Sequence, residues 1–397
     1  MKKEKQGNSL YRIMLLASFR QKSMFVLFLV VFLCISAVYL LQQFTWKQET
    51  ALEDTVDNSV ISCTVADSKG MNMDHLEISS LYVDRLTGKY RDQGCFLDDY
   101  VKNVRACASF IPEEPVNSTL YRVYSPDSLP FYSVLGGNIV KFEEGFSQED
   151  LRGRERICLV SEGMLNSFAL TEEENGIRYL TLTMEHMNSV KLRVVGTLQG
   201  ITDSVICCPF DMPWDDGVTV SFRVMNCSFE IKDNRKLAEA KEALGEYFAA
   251  PQRTASTSGS TGEYSLLIGD ETYQESLNGI ERTLAILRVV MPFLSLLCVG
   301  VGFLAGYLCI KSRIREFAVM RCLGLSRRSI FFLTLKEQAF PTVVGGIFGL
   351  LLGFVIELPG HWQSILFPAL FLLLFLAGAG ISVYWACSRN VMILMKE

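Results

Sequence analysis

The chain has 397 residues, 49% of them hydrophobic and 20% charged, with a formal net charge of −5. That is apolar for a wholly water-soluble protein and too charged for a bundle of membrane helices alone, so part of it is expected in lipid and part in water. No basic patch interleaved with aromatic residues occurs, which argues against nucleic acid as a partner.

Residues 1–23 open with "SLYRIMLLASFRQKS", where Leu10, Ile13, Met14, Ala17 and Phe19 alternate with basic residues at roughly helical spacing. This predicts an amphipathic cytoplasmic lead-in along the inner lipid surface. Four runs approach the roughly 20 residues that a helix needs to cross the hydrocarbon core: 24–41, 290–310, 341–358 and 365–387. The first follows Lys2, Lys3, Lys5, Arg12, Arg20 and Lys22, as a secretory signal would. It is too long and branched for a signal core, however, and no A-x-A site follows. Leu33 is not the small residue wanted before a lipidated Cys34. Residues 24–42 are therefore read as an uncleaved anchor, transmembrane helix 1.

Residues 43–285 lack any comparable run and are long enough for an aqueous domain. The segments "SVISCTV", "VRACASF", "TLYRVYS", "RICLVSE", "RYLTLTM", "KLRVVGTL", "VTVSFRV" and "CSFEI" are dense in β-branched and aromatic residues and predict strands. "NRKLAEAKEALGEYFAA" predicts a helix capped by Asn234, with Leu237, Ala240, Leu244 and Tyr247 or Phe248 on one face. "PQRTASTSGSTGEYS" is a Ser/Thr/Gly stretch expected to be mobile. From Tyr273 a helical pattern runs without a strong breaker as far as Pro292, which predicts a stalk continuous with the second span. Strands with an interposed helix indicate an α+β domain.

Seven cysteines fall in this region: Cys63, Cys95, Cys107, Cys158, Cys207, Cys208 and Cys227. An odd number leaves at least one free or paired between chains, and adjacent Cys207 and Cys208 are poorly placed to bridge each other. Whether any disulfide forms stays open. No metal site is expected, because no CxxC or His/Cys cluster with zinc spacing occurs and the chain has 3 His. His75 and His186 are isolated, and Asp215 and Asp216 in "MPWDDG" read as a solvated turn. Neither a G-x-S-x-G motif nor a Cys with a His neighbour supports a tethered enzyme.

The remaining elements are transmembrane helix 2 (286–310), a cytoplasmic elbow (311–338), helix 3 (339–358), a short outer turn (359–363), helix 4 (364–388) and a cytoplasmic tail (389–397). Basic residues set the orientation. The N-terminal tail carries six Lys and Arg and the 311–337 segment seven, whereas the turn "ELPGHW" has none. Both termini and the elbow are thus expected in the cytoplasm. Residues 43–287 hold 22 Lys and Arg against 38 Asp and Glu, a net of −16. That acidity would suit cationic ligands, or it simply reflects basic residues being concentrated on the other side. The fold class is a membrane protein with four transmembrane α-helices and a large α+β extracytoplasmic domain inserted between helix 1 and helix 2.

Within the spans, Gly345, Gly349 and Gly353 recur every four residues, and Gly302 and Gly306 repeat the pattern, marking faces where helices approach closely. No span carries a central Lys, Arg or Asp, and Glu357 sits at an outer edge, which argues against an ion-coupled carrier. In the elbow, Gly324 supplies a helix stop with Leu325 placed to pack back, and Ser326 a cap for the helix that follows. A basic interfacial connector would also satisfy these residues.

The stretch "REFAVMRCLGLSRRSIFFLTLKEQA" resembles the loop of FtsX-like and MacB-like ABC transporter permeases, with Glu316, Arg321, Leu323, Gly324, Ser326, Arg327 and Ile330 matching the motif. "GNIVKFEEGFSQEDLRGRERICLVSEGML" with "KLRVVGTLQG" is similar to that family's outer core domain, and residues 43–120 match poorly. The resemblance implies a dimeric permease, paired with itself or a related chain. Its elbow (Arg315, Glu316, Met320, Arg321, Leu323, Gly324, Leu325, Ser326, Arg327, Arg328) would dock on an ATPase. The chain has no G-x-x-x-x-G-K-[ST] loop, so ATP and Mg are expected on that separate subunit, with no cofactor here. The implied work is export or extraction of a peptide, lipid-linked molecule or drug from the outer side of a bacterial cell membrane. The alternative is an FtsX-like transmitter that regulates a cell-wall hydrolase without transport.

Overall fold

The computed structural model describes residues 22–388 apart from 137–138, 166–169, 173–175, 186–187, 215–220, 250–262, 312–315, 317–318 and 321–325. The chain forms two compact units: Val56–Gln274, and Met1–Thr55 together with Glu275–Glu397.

The first helix, α1 (Lys22–Asn58), continues well past the apolar run. Residues 42–58, "QQFTWKQETALEDTVDN", contain neither Gly nor Pro, so nothing in them breaks the hydrogen-bond ladder.

In the unit Val56–Gln274 the chain then forms β1 (Ser62–Asp67), β2 (Ile78–Ser79), α2 (Ser80–Leu86), β3 (Val101–Phe110), β4 (Thr119–Val123), β5 (Val140–Phe142) and β6 (Ile157–Ser161). It goes on through β7 (Leu170–Glu172), β8 (Arg178–Leu182), β9 (Val190–Leu198), β10 (Val205–Pro209), β11 (Arg223–Val224), β12 (Asn226–Ile231), α3 (Leu237–Ala249) and β13 (Tyr264–Ile268). The main sheet runs β13-β1-β12-β3-β4-β10-β6-β9-β8-β7, with β5 also on β9, and β11 pairs separately with β2. β4 with β10 and β6 with β9 are parallel, and the other pairs are antiparallel.

The centre of the sheet is covered on both faces. Leu120, Cys158, Val160, Leu192, Val194, Ile206 and Cys208 pack with Met164, Met212 and Trp214 in one cluster. Cys107, Val123, Leu159, Val195, Val205 and Cys207 pack with Leu129, Ile139, Leu151 and Ile201 in a second. β6 and β10 are buried at every position. A strand with no wet face shows no polar alternation; β6 is nevertheless legible in "RICLVSE", whereas β10, with two cysteines and a proline in "SVICCPF", is not. At the other end of the sheet, Leu237, Ala240, Leu244 and Phe248 form the buried face of α3, and the Phe248 ring stacks on Phe229 of β12.

Two local expectations change. Asn234 does not cap α3: Asp233 takes that role at the short turn Asn234–Lys236, accepting from the Arg235 amide at 3.0 Å. The Asn234 side chain instead donates to the carbonyls of Val56 and Ser59 at 2.9 and 2.7 Å, satisfying acceptors at the end of α1. Of "PQRTASTSGSTGEYS", residues 251–262 lie outside the described residues, and Tyr264 and Ser265 belong to β13 rather than to a linker. In "VTVSFRV" only Arg223–Val224 is strand, 218–220 lying outside the described residues.

Among the described residues, the other unit also holds the long helices α4 (Glu271–Lys311), α5 (Arg327–Ile356) and α6 (Gln363–Ser388). Each contains an internal proline (Pro292, Pro341 and Pro368) and continues through it. With α1 they make four helices long and apolar enough to cross a membrane. Leu27, Val31, Ile35 and Val38 of α1 pack with Cys298 of α4 and with Phe371 and Phe375 of α6.

Candidate functional site

The glycines lie where helices meet. A Cβ on Gly345 or Gly349 of α5 would come within 2.8 Å of the carbonyl of Phe28 or Phe32 of α1, and one on Gly353 would overlap the Tyr39 ring. On α4, Gly302 abuts the Phe375 backbone of α6, and Gly306 leaves room for Ala379, whose Cα would be 3.1 Å from an added Cβ. Gly378, which the spacing pattern did not single out, faces the Val299 carbonyl. The contacts join α1 with α5 and α4 with α6, and Gly346 of α5 also faces the Leu372 side chain of α6. Buried Gln338 on α5 adds a polar link, donating to the Gly306 carbonyl at 3.4 Å.

Near Glu357 a second polar group joins α1 to the end of α5. The Tyr39 hydroxyl donates to the Glu357 carbonyl at 2.8 Å and accepts from Gln43 Nε2 at 3.1 Å, while Lys47 pairs with the Glu357 carboxylate. The Trp46 ring covers Gly360 in the turn between α5 and α6. These partners are about three hundred residues apart in sequence, and no local pattern announces them.

In the elbow, α4 ends at Lys311, and Glu316 is helical and exposed while Met320 is helical and half-buried. Arg315, Arg321, Leu323, Gly324 and Leu325 lie outside the described residues. Ser326 is the N-cap of α5, accepting from the Ser329 amide at 3.2 Å. Arg327 and Arg328 are exposed in the first turn and Ile330 points inward. Two arginines at a helix N-terminus oppose the helix dipole, so the helix itself gains nothing from them.

In the unit Val56–Gln274 the chemistry centres on one charge cluster. Lys89 Nζ lies 2.6 Å from Asp84 and 2.5 Å from Asp211, and donates to the Tyr124 hydroxyl at 3.2 Å. Tyr124 in turn donates to Asp211 at 3.1 Å. Burial raises Asp84 above the ordinary carboxylate range, with Lys89 opposing, and drives the Tyr124 phenol far upward. Arg122, 4% exposed, sits with its guanidinium 4.7 Å from the Phe222 ring and 5.5 Å from Trp214, and donates to the Met212 carbonyl. The cluster has the marks of a structural network: every charge is held by an opposite charge, a ring or a carbonyl.

A cleft of about 550 Å³ opens beside Arg85, Tyr90, Cys95, Phe96 and Tyr247. His75 is exposed, whereas His186, Asp215 and Asp216 lie outside the described residues. Among the described residues no group of three or more His, Cys, Asp or Glu is placed to hold a metal.

Residues 288–391, covering most of α4, the elbow, α5 and α6, match the family model for the FtsX-like permease C-terminal domain. This segment is similar to the FtsX-like permease domain. It includes all five glycines and all ten elbow residues singled out above. Over these residues the chain is similar to FtsX-like permeases of ABC transporters, which generally work with an ABC ATPase, and four of its described helices are long and apolar enough to cross a membrane. No curated protein matches the chain.

Proposed function

We propose that the chain is the permease subunit of a bacterial ABC transporter of the MacB/FtsX type, and that its 311–338 elbow docks on a separate ATPase subunit in the cytoplasm. The FtsX-like permease match over 288–391, which contains the elbow, carries this reading. The exposed Arg327 and Arg328 support it: placed against the helix dipole, they fit an acidic partner surface better than they fit their own helix. ATP-driven closure of the partner would move α5, and through the glycine contacts α1 as well. The last residues of α1 (56–58) and the first of α4 (271–274) belong to the β-rich unit, and this continuity of chain suits transmission of movement better than passage of cargo between helices. The work done outside would be export or extraction of a peptide, lipid-linked molecule or drug by a dimer of such chains.

The test is purification of the tagged full chain from its native membrane, with its companions identified and ATP hydrolysis measured. A stoichiometric ATPase that is lost from the double variant Arg327→Glu, Arg328→Glu, with folding intact, is the expected result. Undiminished co-purification and hydrolysis in that variant would remove the docking role from the elbow.

A further inference from the structure

All seven cysteines of the β-rich unit are thiols in the structure, and six are buried. Their register separates one pair from the rest. β10 runs antiparallel to β6 with Ile206 opposite Val160 and Cys207 opposite Leu159. Carried one step past its last pair, beside the irregularity in the β6–β9 ladder at Cys158 and Leu159, the same register brings Cys208 opposite Cys158, and the two thiols are near enough to act on each other electrostatically. Both side chains are fully buried in the same cluster, beside the Ile206–Val160 pair that shares their face. Directly opposed residues on antiparallel strands have Cα atoms about 4.5–5.5 Å apart, inside the roughly 4.4–6.8 Å that a disulfide spans.

No other cysteine of the unit that lies on a strand has such a partner. Cys107 faces Val123 and Asn226, Cys207 faces Leu159 and Tyr121, Cys63 faces Phe229 and Ile268, and Cys227 faces Ala106. Cys107 and Cys207 share a cluster, but β4 lies between their strands. That puts them about two strand spacings apart, roughly 9–10 Å, too far for a bond.

We infer that Cys158 and Cys208 are a redox pair that closes to a cross-strand disulfide by exchange with a protein or low-molecular-weight disulfide. One thiolate attacks the oxidant's S–S bond, forming a mixed disulfide and releasing one thiolate. The second cysteine's thiolate then attacks the mixed disulfide, forming the Cys158–Cys208 bond and releasing the other. The pair loses two electrons and two protons, and the oxidant becomes two thiols. Arg122 stands opposite Cys208 in the β4–β10 register and favours its thiolate, offsetting part of the burial that holds this thiol at about 12. Burial, with the Cys208 thiol beside it, raises the Cys158 thiol well above its ordinary value. Because both are covered in the folded sheet, exchange takes place while that face is open, before Met164, Met212 and Trp214 close over it.

Oxidation in the cell rests on the proposed placement of this unit outside the membrane, so two experiments separate the pair from the placement. In the first, purified full-length protein is held in oxidised glutathione at a urea concentration near its unfolding midpoint and returned to native buffer. It is then alkylated under denaturing conditions and digested without reduction. A peptide joining 157–178 to 194–223 is expected, two hydrogens lighter than its parts, retained in Cys207→Ser and lost in Cys208→Ser and Cys158→Ser. Recovery of all seven cysteines as singly alkylated residues, or a link that survives in Cys208→Ser, would overturn the inference. In the second, Lys232→Cys in intact cells is treated with a membrane-impermeant maleimide. Labelling supports the outward placement, and its absence counts against that placement alone.

Discussion

The Asn234 side-chain amide donates to the carbonyl of Val56 at 2.9 Å, joining the segment that leads into α3 to the last turn of α1. A few residues on, Lys241 of α3 lies 2.6 Å from Asp270, whose carbonyl accepts the Gln274 amide at 2.9 Å in the first turn of α4. The N-terminal half of α3 and the residues leading into it therefore hold the end of α1 and the start of α4.

Replacing Asn234 by Ala leaves the Val56 and Ser59 carbonyls without their donor. The acceptors are half-buried, so the expected cost is about 1 kcal/mol, the net worth of a hydrogen bond, and Asn234→Asp should cost at least as much because a carboxylate cannot donate. Urea midpoints of the purified chain, at unchanged m-value, measure both.

Asp84 gives the β-rich unit a pH dependence of known sign. Burial raises its folded pKa above the unfolded value, and Lys89 only partly offsets this. Its contribution to stability is thus fully present below the ordinary carboxylate range, about pH 4, and is lost as pH rises through the raised value. Asp84→Asn should remove that loss, so the variant gains on the wild type as pH increases. Parallel stability curves for the two proteins would mean that Asp84 titrates normally.

The helix contacts predict opposite outcomes for two glycines. Gly349→Leu drives a side chain into the Phe32 carbonyl and Ile35, and overpacking of this kind costs about 1–3 kcal/mol. Nothing lies within 4 Å of a Cβ on Gly300, so Gly300→Ala should be neutral or stabilising by up to about 1 kcal/mol. Thermal unfolding in one detergent compares them directly.

Ser326→Ala removes the cap of α5 and should cost about 1 kcal/mol locally. Faster amide exchange at Ser329 and Ile330, with the rest of α5 unchanged, is the expected signature.

The apolar helices were legible because about 20 consecutive greasy residues have few other uses, and the Gly345, Gly349 and Gly353 spacing marked a close face for the same physical reason. The polar half of α1 was not, since "KQETALEDTVDN" has helical propensity but no long apolar stripe. β10 escaped because cysteines and a proline dilute its β-branched residues, and β13 because it follows a turn-rich stretch. Asn234 was assigned to the nearest helix start, as local rules direct, whereas its partners lie some 175 residues upstream. The Lys89 cluster assembles residues from α2, β4 and the segment after β10, so sequence spacing carries no trace of it.

β1 and β13, the strand that follows α1 and the strand that precedes α4, are antiparallel neighbours, with Cys63 opposite Ile268 and Asp67 opposite Tyr264. The chain therefore enters β1 and leaves β13 at the same end of the pair. Backbone bonds of an antiparallel pair lie perpendicular to the strands. Splaying the two attached helices would load these bonds one at a time, as in an unzipping hairpin, whereas drawing both helices the same way would load none of them against each other. The seam is weak to divergence and indifferent to traction in common.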